Sequence, residues 1–71
     1  MINMVINYAY LYTLSKERLA SLLYDLYIND GNAFINTVNF QLNNWDKRNI
    51  TLLFIHNKPI TFNSIYDALL S

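Results

Sequence analysis

Three side chains in the second half of the chain are of the types that form a nucleophilic catalytic triad. His56 is the single histidine, and Ser64 and Asp67 follow it. A serine hydroxyl that is activated by a carboxylate-oriented histidine can attack a carbonyl group. The spacing of Ser64 and Asp67 also matches a helix-capping box, which accounts for both residues without catalysis. We therefore expect a protein that is not an enzyme.

The composition offers little else for catalysis or for cofactor binding. The chain has no cysteine and one glycine, so it lacks thiolate ligands and any glycine-rich loop that could cradle a phosphate. Its five acidic residues do not show the spacing of a calcium-binding loop or of a site that includes His56. We expect no metal site and no cofactor.

A group of polar and aromatic residues in the middle of the chain is the strongest candidate for a binding surface. Asparagine is unfavourable in helix interiors because its side chain competes for backbone hydrogen bonds. Nevertheless, Asn36, Asn39 and Asn43 share one face of a predicted helix. An amide both donates and accepts hydrogen bonds, which suits partner backbone groups or an adenine edge. The predicted partner-binding residues are Asn36, Asn39, Phe40, Asn43, Lys47 and Arg48.

Two functions compete for this surface. The first is a small protein-interaction module, an accessory regulator or inhibitor that binds a partner protein, and the aromatic content of 15% supports it. The second is a winged-helix-like DNA-binding transcriptional regulator, in which Lys47, Arg48 and Lys58 would face phosphates. Zero net charge disfavours nucleic acid, because phosphate binding usually needs more basic groups. We favour the protein partner.

The first half of the chain predicts a strand followed by a helix. Large apolar residues alternate over residues 2–12, a period of two in residue types that favour strands, although a buried helix is the alternative. Residues 16–29 carry apolar side chains at helical spacing, with Ser15 as N-cap and Gly31 as a left-handed C-terminal stop.

The second half predicts a second helix, a hairpin and a short third helix. Over residues 33–45 the apolar side chains fall within a narrow sector of a helical wheel, which predicts a helix with Asn32 as N-cap. The residues in this sector are Phe34, Ile35, Val38, Leu42 and Trp45. Residues 50–56 are rich in β-favouring residues and predict a short buried strand, and residues 60–62, after Pro59, predict the return strand. After Ser64, a short helix presents Ile65, Ala68 and Leu69 as its apolar face.

These elements predict a single α+β domain over residues 1–71. Its order is β-α-α-β-β-α, with a three-stranded antiparallel sheet packed on helices. The alternative is a winged helix-turn-helix-like fold in which the N-terminal segment is helical and residues 50–62 form the wing.

Composition points to association rather than to a membrane. The chain is 54% hydrophobic and 14% charged, which leaves apolar surface over in a domain of 71 residues. No apolar run approaches the length that spans a bilayer, and we expect a cytoplasmic protein. We expect it to form a homodimer through the tyrosine-rich segment 2–12, Phe40 and the short C-terminal helix. Frequent asparagine, isoleucine and tyrosine indicate AT-rich coding DNA, as in a phage or mobile element.

Overall fold

The computed structural model describes residue 11 and residues 13–71. These residues form four helices and no strand. The helices are α1 (Lys16–Asn29), α2 (Gly31–Phe40), α3 (Asn44–Ile55) and α4 (Phe62–Leu70). The predicted α+β class, with its three-stranded sheet, is therefore wrong for the described part of the chain.

Helix α1 has the predicted bounds and the predicted N-cap. The Arg18 amide donates to Ser15 Oγ at 3.2 Å, which satisfies one of the free N–H groups of the first turn. The predicted reason for its end is wrong, because Gly31 has no positive φ and is the first residue of α2. Asp30 separates the two helices and caps α2 by accepting from the Ala33 amide.

The predicted helix 33–45 is two helices with a break between them. Helix α2 starts before the predicted N-cap Asn32 and ends at Phe40. Asn43 then caps α3 by accepting from the Asp46 amide at 2.8 Å. Phe34, Val38 and Leu42 are buried as the periodicity predicts, whereas Ile35 and Trp45 are exposed.

The two predicted strands of the hairpin, residues 50–56 and 60–62, are wrong. Residues 50–55 complete α3, and residues 58–61 form the connection to α4. Asn57 has a φ of 52°, and the amides of Asn57 and Lys58 donate back into the last turn of α3. This is a Schellman-type helix end. With a helix in place of the hairpin, the winged-helix alternative loses its wing and is also wrong.

Helix α4 confirms the predicted short C-terminal helix and its apolar face. Ile65, Ala68 and Leu69 are buried. The capping box is formed by Thr61 and Ser64 rather than by Ser64 and Asp67, because the helix starts earlier than the sequence pattern indicates.

The core lies where α1 packs against α2 and α4, and where α4 packs against α3. The buried apolar residues are Leu11, Leu19, Ala20, Leu23, Phe34, Val38, Leu42, Ile50, Ile65, Ala68 and Leu69. Helices α2 and α3 contact each other less, so a shallow groove remains between them.

Two further expectations concern the N-terminal segment and the membrane. The predicted strand 2–12 lies outside the described residues except for Leu11, which has helical backbone and is buried. Among the helices described, none combines the length and the apolar character that a bilayer crossing requires.

A matched pair of substitutions tests the helical register of α3. Ile50 is fully buried and Ile55 is 68% exposed. We expect Ile50→Ala to lower the free energy of unfolding by about 2–5 kcal/mol, since it leaves a cavity. Ile55→Ala should change it by less than about 0.5 kcal/mol. Urea denaturation followed by circular dichroism measures both, and Ile50→Val serves if the alanine variant does not fold. Equal losses would contradict this register and favour a buried strand.

Candidate protein-interaction site

A buried carboxylate fixes the start of α3. Asp46 is 2% exposed, and both its oxygens lie 3.1 Å from Lys16 Nζ at the start of α1. Asn43 Nδ2 donates to the same carboxylate at 3.0 Å, and Asn43 Oδ1 caps the helix. A buried carboxylate without such partners would cost several kcal/mol. These bonds therefore hold the beginnings of α1 and α3 together.

With Asp46 and Ile50 facing the core, α3 has two outward-facing rows. Lys47, Thr51 and Phe54 follow one another at helical spacing beside α2. The second row lies further toward solvent and consists of Arg48, Leu52 and Ile55. Because the two rows adjoin, α3 presents a continuous surface over three helical turns.

Helix α2 contributes the other wall of the groove. Ile35 and Asn39 line it opposite Thr51 and Phe54, and the buried ring of Phe34 forms its floor. We call this surface the α2–α3 face. It consists of Ile35, Asn39, Lys47, Arg48, Thr51, Leu52, Phe54 and Ile55.

The apolar part of the α2–α3 face consists of four exposed side chains, and one of them packs on a buried ring. Ile35 is 51% exposed, Leu52 41%, Phe54 47% and Ile55 68%. The Phe54 ring centroid lies 6.1 Å from that of Phe34, which in turn meets Tyr27 of α1 edge-on at 5.3 Å. Aromatic pairs in these geometries are attractive, so Phe54 is positioned on the core while half of it remains exposed.

Three of the predicted partner-binding residues lie on this face. Asn39 is exposed, and its backbone carbonyl accepts from Lys47 Nζ at 3.3 Å across the groove. This bond satisfies one of the free carbonyls at the end of α2. Arg48 is exposed on α3, and its guanidinium forms no hydrogen bond or ion pair with any other described residue.

The other three predicted residues lie elsewhere. Asn36 and Phe40 are four residues apart on α2, exposed, and outside the groove; Phe40 is 76% exposed. Asn43 is exposed, but both ends of its amide are used by Asp46. The asparagines therefore do not form one uniform surface, because Asn43 has a structural role.

The sequence-based prediction missed the apolar members of the face. The sequence pattern places Ile35 on the apolar side of a helix, and it places Leu52, Phe54 and Ile55 in a buried strand. The signal that could have found them is the spacing of Arg48, Leu52 and Ile55, which repeats at i, i+4 and i+7 as on one side of a helix.

The three side chains considered for catalysis are not brought together. Ser64 Oγ accepts from the Thr61 amide at 2.7 Å as part of the capping box of α4. His56 is exposed at the end of α3 and forms no hydrogen bond with Ser64 or Asp67. Within the described part of the chain, no group of acidic or histidine side chains is arranged to hold a metal ion.

Comparison with protein-family models, with curated proteins and with solved structures gives no match. The chemistry and geometry of the described surface are therefore the basis for a functional proposal. On that surface, the α2–α3 face combines four exposed apolar side chains with two basic ones.

The structural role of Asn43 can be separated from the surface role of Asn36 by the same chemical change. We expect Asn43→Ala to lower the free energy of unfolding by about 1–2 kcal/mol, because the cap of α3 and a donor to Asp46 are lost. Asn36→Ala should cost nothing, since alanine favours an exposed helix position. Urea denaturation of the two variants measures the difference, and equal effects would refute the capping role.

Removing the cation that pairs with Asp46 should also destabilise the domain. Lys16→Met keeps the aliphatic stem but leaves the buried carboxylate with fewer partners, and we expect a loss of about 1–3 kcal/mol. The loss stays below that of a fully buried pair because Lys16 is 41% exposed. Arg18→Met, on the same helix and exposed, is the control and should change stability by less than about 0.5 kcal/mol. A result no larger than this control would show that the ion pair contributes nothing.

Proposed function

We propose that this chain is a small, non-enzymatic protein-interaction module that binds a partner protein through the α2–α3 face. In this role it acts as an accessory regulator or inhibitor, by occupying a surface on its partner. The observation that carries the proposal is the exposure of Ile35, Leu52, Phe54 and Ile55 on one continuous surface.

Exposed apolar side chains of this size are costly for a monomer when they adjoin one another. Scattered exposed apolar residues are normal on proteins, but a contiguous patch rimmed by polar residues marks an interaction site. Here the patch is rimmed by Asn39, Lys47 and Arg48. An apolar centre with a polar rim is the usual arrangement of a protein–protein interface.

The support beneath the face favours binding with little ordering cost. Phe54 rests on Phe34, and Lys47 is bonded to the backbone of α2. Side chains that are already positioned lose less conformational entropy when a partner binds. A shallow groove between two helices also matches the way in which many proteins receive a partner helix.

Self-association stays a separate prediction. The sequence places it on Phe40, on the C-terminal helix and on the N-terminal segment, the last of which lies outside the described residues. Leu70 at the end of α4 is more than half exposed. Light scattering on the purified chain measures the oligomeric state directly.

Two double variants test whether the α2–α3 face binds the partner. Leu52→Ser/Ile55→Ser removes two apolar side chains from the face. Ile28→Ser/Trp45→Ser makes the same kind of change at two exposed apolar positions outside the face. Proteins cross-linked to the wild-type chain in its host are identified by mass spectrometry, and the affinity of each recovered partner is then measured for both variants.

We expect the face variant to bind at least about tenfold more weakly, because truncation of a central interface residue typically costs more than 1 kcal/mol. The control variant should bind as the wild type does. Circular dichroism confirms that both variants are folded. Equal affinities for the two variants, or no recovered partner at all, would refute the proposal.

A further inference from the structure

We infer that the occupant of the α2–α3 face is an amphipathic helix of a partner protein that carries aspartate or glutamate beside its apolar stripe. This inference rests on the proposed function and specifies the chemistry of the partner.

The charges that α2 and α3 expose have one sign. Within α2 and α3, the charged residues are Asp46, Lys47 and Arg48. Asp46 is buried and bonded to Lys16, so it offers no negative charge to a partner. Both remaining charges are positive and both border the face. A partner of complementary charge is therefore acidic.

The two cations also differ in their bonding within the chain. Lys47 donates to the backbone carbonyl of Asn39. The Arg48 guanidinium has no hydrogen-bond or ion-pair partner among the described residues. It is therefore available to a carboxylate of a partner, which a guanidinium can bind through two parallel hydrogen bonds.

A basic residue and two apolar residues follow one another along one side of α3. Arg48 and Ile55 are two turns apart on the same side of the helix, which corresponds to about 10 Å along its axis. Leu52 lies between them. A partner helix aligned with the groove therefore needs its carboxylates one to two turns from its apolar anchors. On one face of an extended peptide the side chains are separated by about 7 or 13 Å, which matches this spacing of about 10 Å less well.

Synthetic peptides of one length and one apolar stripe test the inference. One peptide carries glutamates beside the stripe and the other carries lysines at the same positions. Fluorescence anisotropy of each labelled peptide gives its dissociation constant with the wild-type chain at low and at high salt. We expect the acidic peptide to bind about three- to tenfold more tightly at low salt, with the difference reduced at high salt.

Charge reversal at one position supplies the matched control. Arg48→Glu should remove the preference for the acidic peptide or invert it. Arg18→Glu makes the same change in net charge on an exposed part of α1 away from the face, and the preference should remain. A preference that is unchanged in Arg48→Glu would overturn the inference, because it would then arise from the overall charge of the chain.

The remaining outcomes separate this inference from the proposed function. If both peptides bind equally and Leu52→Ser/Ile55→Ser abolishes binding, the face binds helices without regard to charge, and only the acidic partner is refuted. If neither peptide binds and the same double variant converts a dimer into a monomer by light scattering, a second copy occupies the face, which also refutes the acidic partner. If neither peptide binds and the double variant changes nothing, both the inference and the proposed function fail.

Discussion

The structure depends on the burial of one carboxylate. Taking the Asp46 side chain out of water is unfavourable unless its oxygens receive hydrogen bonds, and Lys16 and Asn43 provide them. These partners belong to the start of α1 and to the turn that precedes α3. The same bonds therefore favour a break in the helix between α2 and α3, and they set which side of α3 faces the core. Since that rotation turns Thr51, Leu52 and Ile55 outward, the exposed apolar face is a consequence of how the carboxylate is satisfied.

The break between α2 and α3 is not visible in the hydrophobic periodicity, which predicts one helix over residues 33–45. Trp45 continues the apolar pattern of Phe34 and Val38, so a helical wheel shows no interruption. The break after α2 has a local cause. Asn43 accepts a hydrogen bond from the amide of Asp46 three residues later, and this cap begins a new helix. The capping residue is present in the sequence, but the bond from Lys16 to the Asp46 carboxylate joins residues that are distant in the chain. Helix α1 was predictable because its cap and its apolar stripe agree.

The region 50–56 was predicted wrongly for a different reason. A short run of apolar, β-branched residues fits a buried strand and a helix segment equally well by composition. Strand propensity is overridden here because the helix has already begun at Asn44, and Ile50 continues the buried side one turn after Asp46. The strand interpretation also assumes that the whole run is buried. Leu52, Phe54 and Ile55, which this interpretation buries, are three of the four apolar residues of the candidate site. For these three residues, the error in the fold and the error in the site have one cause.

The chain has no net charge, but its positive and negative side chains lie on different parts of the structure, which affects how it can recognise a partner. Residues 47–58 contain three cations and no acid, whereas the exposed acids of the described residues lie on α1, between α1 and α2, and on α4. A protein with no net charge exerts little long-range attraction, so any electrostatic contribution acts at contact distance. In the proposed complex, the apolar centre of the face would supply most of the affinity, and the basic rim would decide which apolar helices bind. Selectivity without general attraction to polyanions follows from placing a few cations beside an apolar groove.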